Sequence, residues 1–161
     1  MDIYKFAKQM ELEGEQFYRR LALKVENPGL KNILLILADD EKNHYRLIEK
    51  LQTNSEPAVL DTQSLANIKS IFFEIKEAGA DFGLEITQKA VYQQALENEE
   101  QSLNFYLDQA KAASSGVERD LFLKLCDEER QHYLVLEEVI DFITRPETWI
   151  ENAEFYHLEE Y

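Results

Sequence analysis

Two short stretches carry residue types that can hold a cation together. In Ala38-Asp39-Asp40-Glu41-Lys42-Asn43-His44-Tyr45 and in Cys126-Asp127-Glu128-Glu129-Arg130-Gln131-His132-Tyr133, a glutamate stands three residues before a histidine. On a helix that spacing projects both side chains from one face, so a carboxylate oxygen and an imidazole nitrogen can reach the same ion. The two glutamates are 88 residues apart, and 30 residues upstream of each stands another, Glu11 before Glu41 and Glu99 before Glu129. A single Glu-x-x-His is most often a solvated helix pair. Glu154 and His157 repeat the spacing with no matching hairpin and read as structural.

The neighbours of the six residues argue against a solvated face. At helical spacing the stripe through Glu11 is Tyr4, Ala7, Gly14, Tyr18 and Ala22, and that through Glu41 and His44 is Leu34, Leu37, Ile48 and Leu51. The stripe through Glu99 is Tyr92, Ala95, Ser102, Tyr106 and Ala110, and that through Glu129 and His132 is Phe122, Leu125, Leu136 and Val139. None of these stripes carries Lys or Arg. Four carboxylates would therefore enter a core with no built-in cation, and an unpaired buried charge costs several kcal/mol or neutralises itself. Something cationic is expected there. Two divalent ions cancel four carboxylates, bridging glutamates can hold such ions about 3.5–4 Å apart, and the imidazoles remain neutral nitrogen donors. An oxygen-rich set with one histidine per ion suits iron or manganese better than calcium or structural zinc. Two iron ions are the first choice, with manganese or zinc as substitutes.

Long helices are needed to present these stripes. Apolar residues recur at the helical period over residues 2–26 (Ile3, Phe6, Ala7, Met10, Phe17, Tyr18, Leu21, Val25) and, after a break at Asn27-Pro28-Gly29, over 28–51. So short a break makes an antiparallel hairpin. Residues 53–80 form a crossover without either motif, in which residues 61–64 can cap a modest helix through Ile68, Ile71, Phe72 and Ile75. A second hairpin follows, with helices over 81–113 and 117–144 separated by Ser114-Ser115-Gly116. Offsetting by 88 pairs Ala7 with Ala95, Phe17-Tyr18 with Phe105-Tyr106, Ala22 with Ala110 and Leu37 with Leu125. The expected architecture is an all-α, antiparallel four-helix bundle made of two copies of one hairpin (2–52 and 81–144), with a long crossover between the second and third bundle helices. The aromatic tail, 145–161, should pack back on the bundle.

Bulk composition agrees. One domain is expected from 161 residues, 45% hydrophobic content excludes wholesale disorder, and five Gly and three Pro punctuate too little for an all-β fold. A net charge of -15 repels nucleic acid and anionic membrane surfaces. No stretch approaches a membrane span and the first residues lack a signal-peptide core, which favours the cytoplasm. The single cysteine, Cys126, excludes an internal disulfide and a Cys-cluster site, and reads as a small buried apolar residue.

Several neighbours have two readings. Asp40 and Glu128 either receive the free ring N–H of a histidine on the opposite hairpin, orienting it, or are solvated helix-face acids. Tyr18 and Tyr106 either hydrogen-bond the ligand carboxylates or are core aromatics. Gly14 and Ser102 mark missing bulk, which either admits a small oxidant or allows close helix packing.

In Glu11-x-x-Gly14 with Phe17-Tyr18, Glu41-x-x-His44, Glu99 with Phe105-Tyr106, and Glu129-x-x-His132, the chain resembles the rubrerythrin family of ferritin-like dimetal carboxylate proteins over most of residues 2–144. A glutamate from each of two helices and a Glu-x-x-His from each of two others is the known constellation of that superfamily. The resemblance implies Glu11 and Glu99 as terminal ligands, Glu41 and Glu129 as bridging ligands, and His44 and His132 as nitrogen ligands. It also implies a non-haem di-iron oxidoreductase that reduces hydrogen peroxide or oxygen in oxidative stress protection. Two departures bear on this. One cysteine cannot supply the usual Cys-rich rubredoxin domain, so a separate electron-donor protein is expected. Rubrerythrins also commonly place an extra Glu near the third bundle helix's ligand, where the same-face position here is Ser102, and Glu97 and Glu100 point elsewhere. Alternative uses of the site are ferroxidase chemistry for iron storage or delivery, and a non-catalytic metal-stabilised bundle. A homodimer is left open.

Overall fold

The computed structural model describes residues 1–54, 63–78 and 88–144. They form α1 (Ile3–Lys24), α2 (Pro28–Gln52), α3 (Ser64–Glu77), α4 (Lys89–Ala112) and α5 (Gly116–Thr144), with no strand among the described residues. Three of the hairpin helices, α1, α2 and α5, start where a side chain satisfies their end groups. Asp2 Oδ1 accepts from the backbone N–H groups of Tyr4 and Lys5 at 3.0 and 3.2 Å, opening α1. Asn27 Oδ1 accepts from Leu30 N at 3.0 Å with Pro28 in the first helical position, opening α2. Its other end closes on Asn54 in the left-handed conformation, φ 51°, with Thr53 N donating to Glu49 O.

The start of α5 departs from the expected Val117. Gly116 is already helical because Ser115 Oγ accepts from Glu118 N at 3.2 Å, while the Glu118 carboxylate turns back to accept from Ser114 N at 3.0 Å. This reciprocal cap satisfies orphan donors and explains why Glu118 is buried. In the crossover, the Gln63 carbonyl accepts the first helical bond, from Asn67 N, so the cap position of α3 falls on Gln63. The tail 145–161, with Glu154 and His157, lies outside the described residues, as do residues 81–87 of the expected third bundle helix.

The chain divides into two compact units, Met1–Ile75 and Lys76–Tyr161, each holding one repeat. In the first, residue numbers fall along α2 as they rise along α1: Lys8 lies over the Tyr45 ring, Glu11 approaches His44, Gly14 faces Glu41, and Arg19 reaches Asp39. That is an antiparallel hairpin in register. The crossover helix α3 runs back along α2 in step, because Ser64 Oγ donates to Asp40 Oδ1 at 2.6 Å while Ile75 lies against Gly29, eleven residues away on each helix. Ile68, Phe72 and Ile75 are the buried side of α3, and Phe73 on its other side is exposed. A polar cleft of about 430 Å³, lined by Asp39, Asn43, Arg46 and Asn67 among others, opens between α2 and the start of α3, so α3 covers α2 only in part.

In the second unit α4 and α5 pair in the same sense, Glu99 beside His132 and Tyr106 stacked on Phe122 at 6.1 Å. Leu125, Val135, Leu136 and Val139 are buried, as their period requires. Two apolar positions of the expected core are exposed, Phe6 and Ala90, the latter in the first turn of α4. Phe6 is 45% exposed, because it stands about 100° of helix turn from Ala7, at the centre of the buried arc.

Tyr92 combines full burial with an unusual cost. Among the described residues its hydroxyl has no hydrogen-bond partner, and burial pushes its phenol well above the usual range. Leaving a buried donor unsatisfied costs about 1–3 kcal/mol. Tyr92→Phe is therefore expected to raise the melting temperature by roughly 2–4 °C. A fall of that size would show the hydroxyl to be bonded.

Candidate metal centre

Glu11, Glu41 and His44 come together inside the first unit because α1 and α2 are antiparallel and in register at that level. Their nearest donor atoms all lie within 4.8 Å of one another. His44 Nδ1 is 3.4 Å from Glu11 Oε2 and 3.9 Å from Glu41 Oε2. The second unit repeats the arrangement: His132 Nδ1 is 3.7 Å from Glu99 Oε1 and 3.5 Å from Glu129 Oε2. In both repeats the same ring nitrogen faces both carboxylates. Every one of the six is buried, His44 and Glu129 completely.

These distances are long for hydrogen bonds and suitable for shared coordination. Two donors each about 2.1 Å from one ion stand roughly 3–4 Å apart for angles between 90 and 135°. Each triad supplies two carboxylates and one imidazole, a donor set that suits a divalent transition ion and leaves positions open on it. Each triad thus fits one such ion.

The electrostatics of the second unit point the same way. Burial, then the neighbouring Glu129 carboxylate, push the Glu99 carboxyl up to about 8, against the opposing pull of His132. A carboxyl held neutral by like charge and low dielectric is what a cation would ionise. Binding should accordingly release protons.

The residues around the triads separate into distinct environments. Asp40 is buried and accepts from Ser64 Oγ, so it is no solvated helix-face acid, whereas Glu128 is half-buried. Tyr18 and Tyr106 are buried, each edge-on to the preceding phenylalanine at 5.7 and 5.4 Å. Gly14 and Ser102 are half-buried, while Glu97 and Glu100 are exposed. Cys126 is buried, and burial raises its thiol. Two features escaped sequence reasoning. The Ser64–Asp40 bond depends on where the crossover lands, which no local pattern encodes. Glu138, buried on α5, had a readable signal in its buried neighbours Val135 and Phe142 three and four residues away.

The raised Glu99 pKa has a defined sign in stability. A carboxyl whose folded value lies near 8, above its ordinary 4.5, stabilises the folded chain fully at low pH, and that contribution disappears as pH rises through 8. The metal-free chain is expected to lose on the order of a few kcal/mol between pH 5 and 8. Melting curves across this range should show the decline in the wild type and a flatter profile in Glu99→Gln.

Comparison with protein families places residues 2–140 in the Rubrerythrin family model. No match was found among curated proteins or among solved structures. The matched span contains both triads and all five helices apart from the last residues of α5. Paired hairpins, each bringing two glutamates and a histidine into an apolar interior, are thus accompanied by a match over most of the chain, which belongs to the rubrerythrin family and has its all-α, ferritin-like helical fold.

Proposed function

We propose that the two triads together hold a pair of iron ions and that the protein reduces hydrogen peroxide with electrons from a separate donor protein. The observation that carries this reading is the duplicated, buried donor set, two carboxylates and one Nδ1 in each repeat. Family membership supports it. In this reading Glu11, Glu41 and His44 would hold one ion and Glu99, Glu129 and His132 the other. A bound pair of redox-active ions supplies the two electrons that, with two protons, convert hydrogen peroxide to two waters.

The protein's part is positioning and exclusion. Buried residues on the same helix faces, Leu34, Leu37 and Ile48 for one triad and Phe122, Leu125 and Leu136 for the other, keep bulk water from the carboxylates. Low local dielectric makes the carboxylates strong ligands for a cation and poor neighbours for each other. The charge balance of four carboxylates against two divalent ions leaves the centre neutral, so a neutral oxidant such as peroxide enters without electrostatic penalty. Among the described residues no helix is long and apolar enough to cross a membrane. We place the reaction in the cytoplasm, where a reducing partner protein is available.

Anaerobic, iron-loaded and chemically reduced protein is expected to be oxidised by peroxide faster than by oxygen, followed by absorption after rapid mixing, with uptake ending at two irons per chain. Oxidation by oxygen at an equal or greater rate, or iron uptake far beyond two, would overturn the peroxidase reading in favour of iron handling. Glu129→Ala should abolish the peroxide-driven absorbance change in a chain that retains its helical circular dichroism.

A further inference from the structure

Gly14 stands on α1 one turn beyond Glu11. A Cβ placed on it would lie 3.2 Å from Glu41 Oε2, 3.3 Å from Glu41 Cδ and 3.4 Å from Glu41 Cγ. Its three nearest neighbours therefore all belong to the outer end of one side chain, and that side chain is a buried carboxylate. Close apolar packing, the common reason for a small residue between helices, has a different signature here. At Gly29 the nearest atoms are the Ile75 methyl carbon at 2.8 Å and its γ carbon at 3.1 Å.

We infer that Gly14 is a positioning residue of the metal centre: its missing side chain is the space that lets the Glu41 carboxylate lie against α1 and face His44. This inference rests on the metal-centre reading above. The same oxygen, Oε2, is both the closest atom to the absent Cβ and the atom 3.9 Å from His44 Nδ1. Any group added at position 14 thus displaces the oxygen that has to share an ion with that imidazole.

Magnitudes decide where the effect appears. A Cβ at these distances requires the Glu41 end group to give by a few tenths of an ångström. Folding tolerates that readily when the atoms that move are the far end of a flexible side chain. Coordination does not, since metal–donor distances hold to within about 0.2 Å. Glycine in a helix interior is, in addition, less favourable than alanine. Replacing it should leave the metal-free chain as stable or more stable and weaken its hold on metal, two responses of opposite direction that a simple packing role would not give.

The repeat sharpens the point. Position 102, the counterpart of position 14, is serine and already carries a Cβ. The two triads therefore differ at this position, and the bare space beside Glu41 belongs to the first repeat.

Cobalt(II) titration of the full chain, followed by its visible absorption, tests this with wild type, Gly14→Ala and Ser102→Ala, each paired with a melting curve of the metal-free protein. Gly14→Ala is expected to bind at least one cobalt tenfold or more weakly while its metal-free melting temperature holds or rises, and Ser102→Ala is expected to bind as wild type. Unchanged cobalt affinity in Gly14→Ala, or a loss accompanied by a lower metal-free melting temperature, overturns the inference alone. Wild-type protein that takes up no cobalt overturns the metal-centre reading and this inference with it.

Discussion

Carboxylates gathered in an apolar interior repel one another and resist desolvation, and every notable feature of this chain answers that constraint. Within each unit two glutamates and one histidine approach within coordination distance, with stripes free of Lys and Arg around them. Aromatic and branched residues close around the carboxylates, which raises the cost of leaving them ionised and without a counter-charge. The elevated Glu99 carboxyl is the direct expression of this cost. Protonation of a carboxyl relieves this cost and a bound cation would relieve it too, so proton binding and metal binding would both couple to stability.

The two repeats solve the same problem with different surroundings. The first has a third helix, α3, running along α2 and anchored by Ser64 to Asp40, the residue next to Glu41. In the second, the residue at the equivalent place, Glu128, is half-buried. Position 14 is bare where position 102 has a hydroxymethyl group. The duplicated donor triads are thus set in unequal frames, one beside Gly14 and the Ser64–Asp40 bond, the other without either.

Helices, caps and register follow closely from local chemistry. Asn27-Pro28 opens α2 because its side-chain oxygen and fixed φ suit that position, and the 88-residue repeat carries the same hairpin into the second half of the chain. The six candidate donors were readable because helical spacing turns sequence distance directly into a shared face. Where reading failed, neighbouring residues could not supply the answer. Ser115 with Glu118 built a cap one residue earlier than the apolar period suggests, and Phe6 matched the period yet stands at the edge of the buried arc, 45% exposed.

By itself the sequence determined the all-α class, the duplicated hairpin and which glutamates and histidines share a face, because a 3.6-residue period is a local property. It could not determine what each face meets. That Gly14 lies against the Glu41 carboxylate, that Ser64 reaches Asp40 from the crossover, and that Tyr92 buries its hydroxyl with no partner among the described residues were decided by tertiary structure. Each depends on the distance between helices and on where a connecting segment lands. Such distances are set by the sum of many side-chain contacts across the core, and no short stretch of sequence contains that sum.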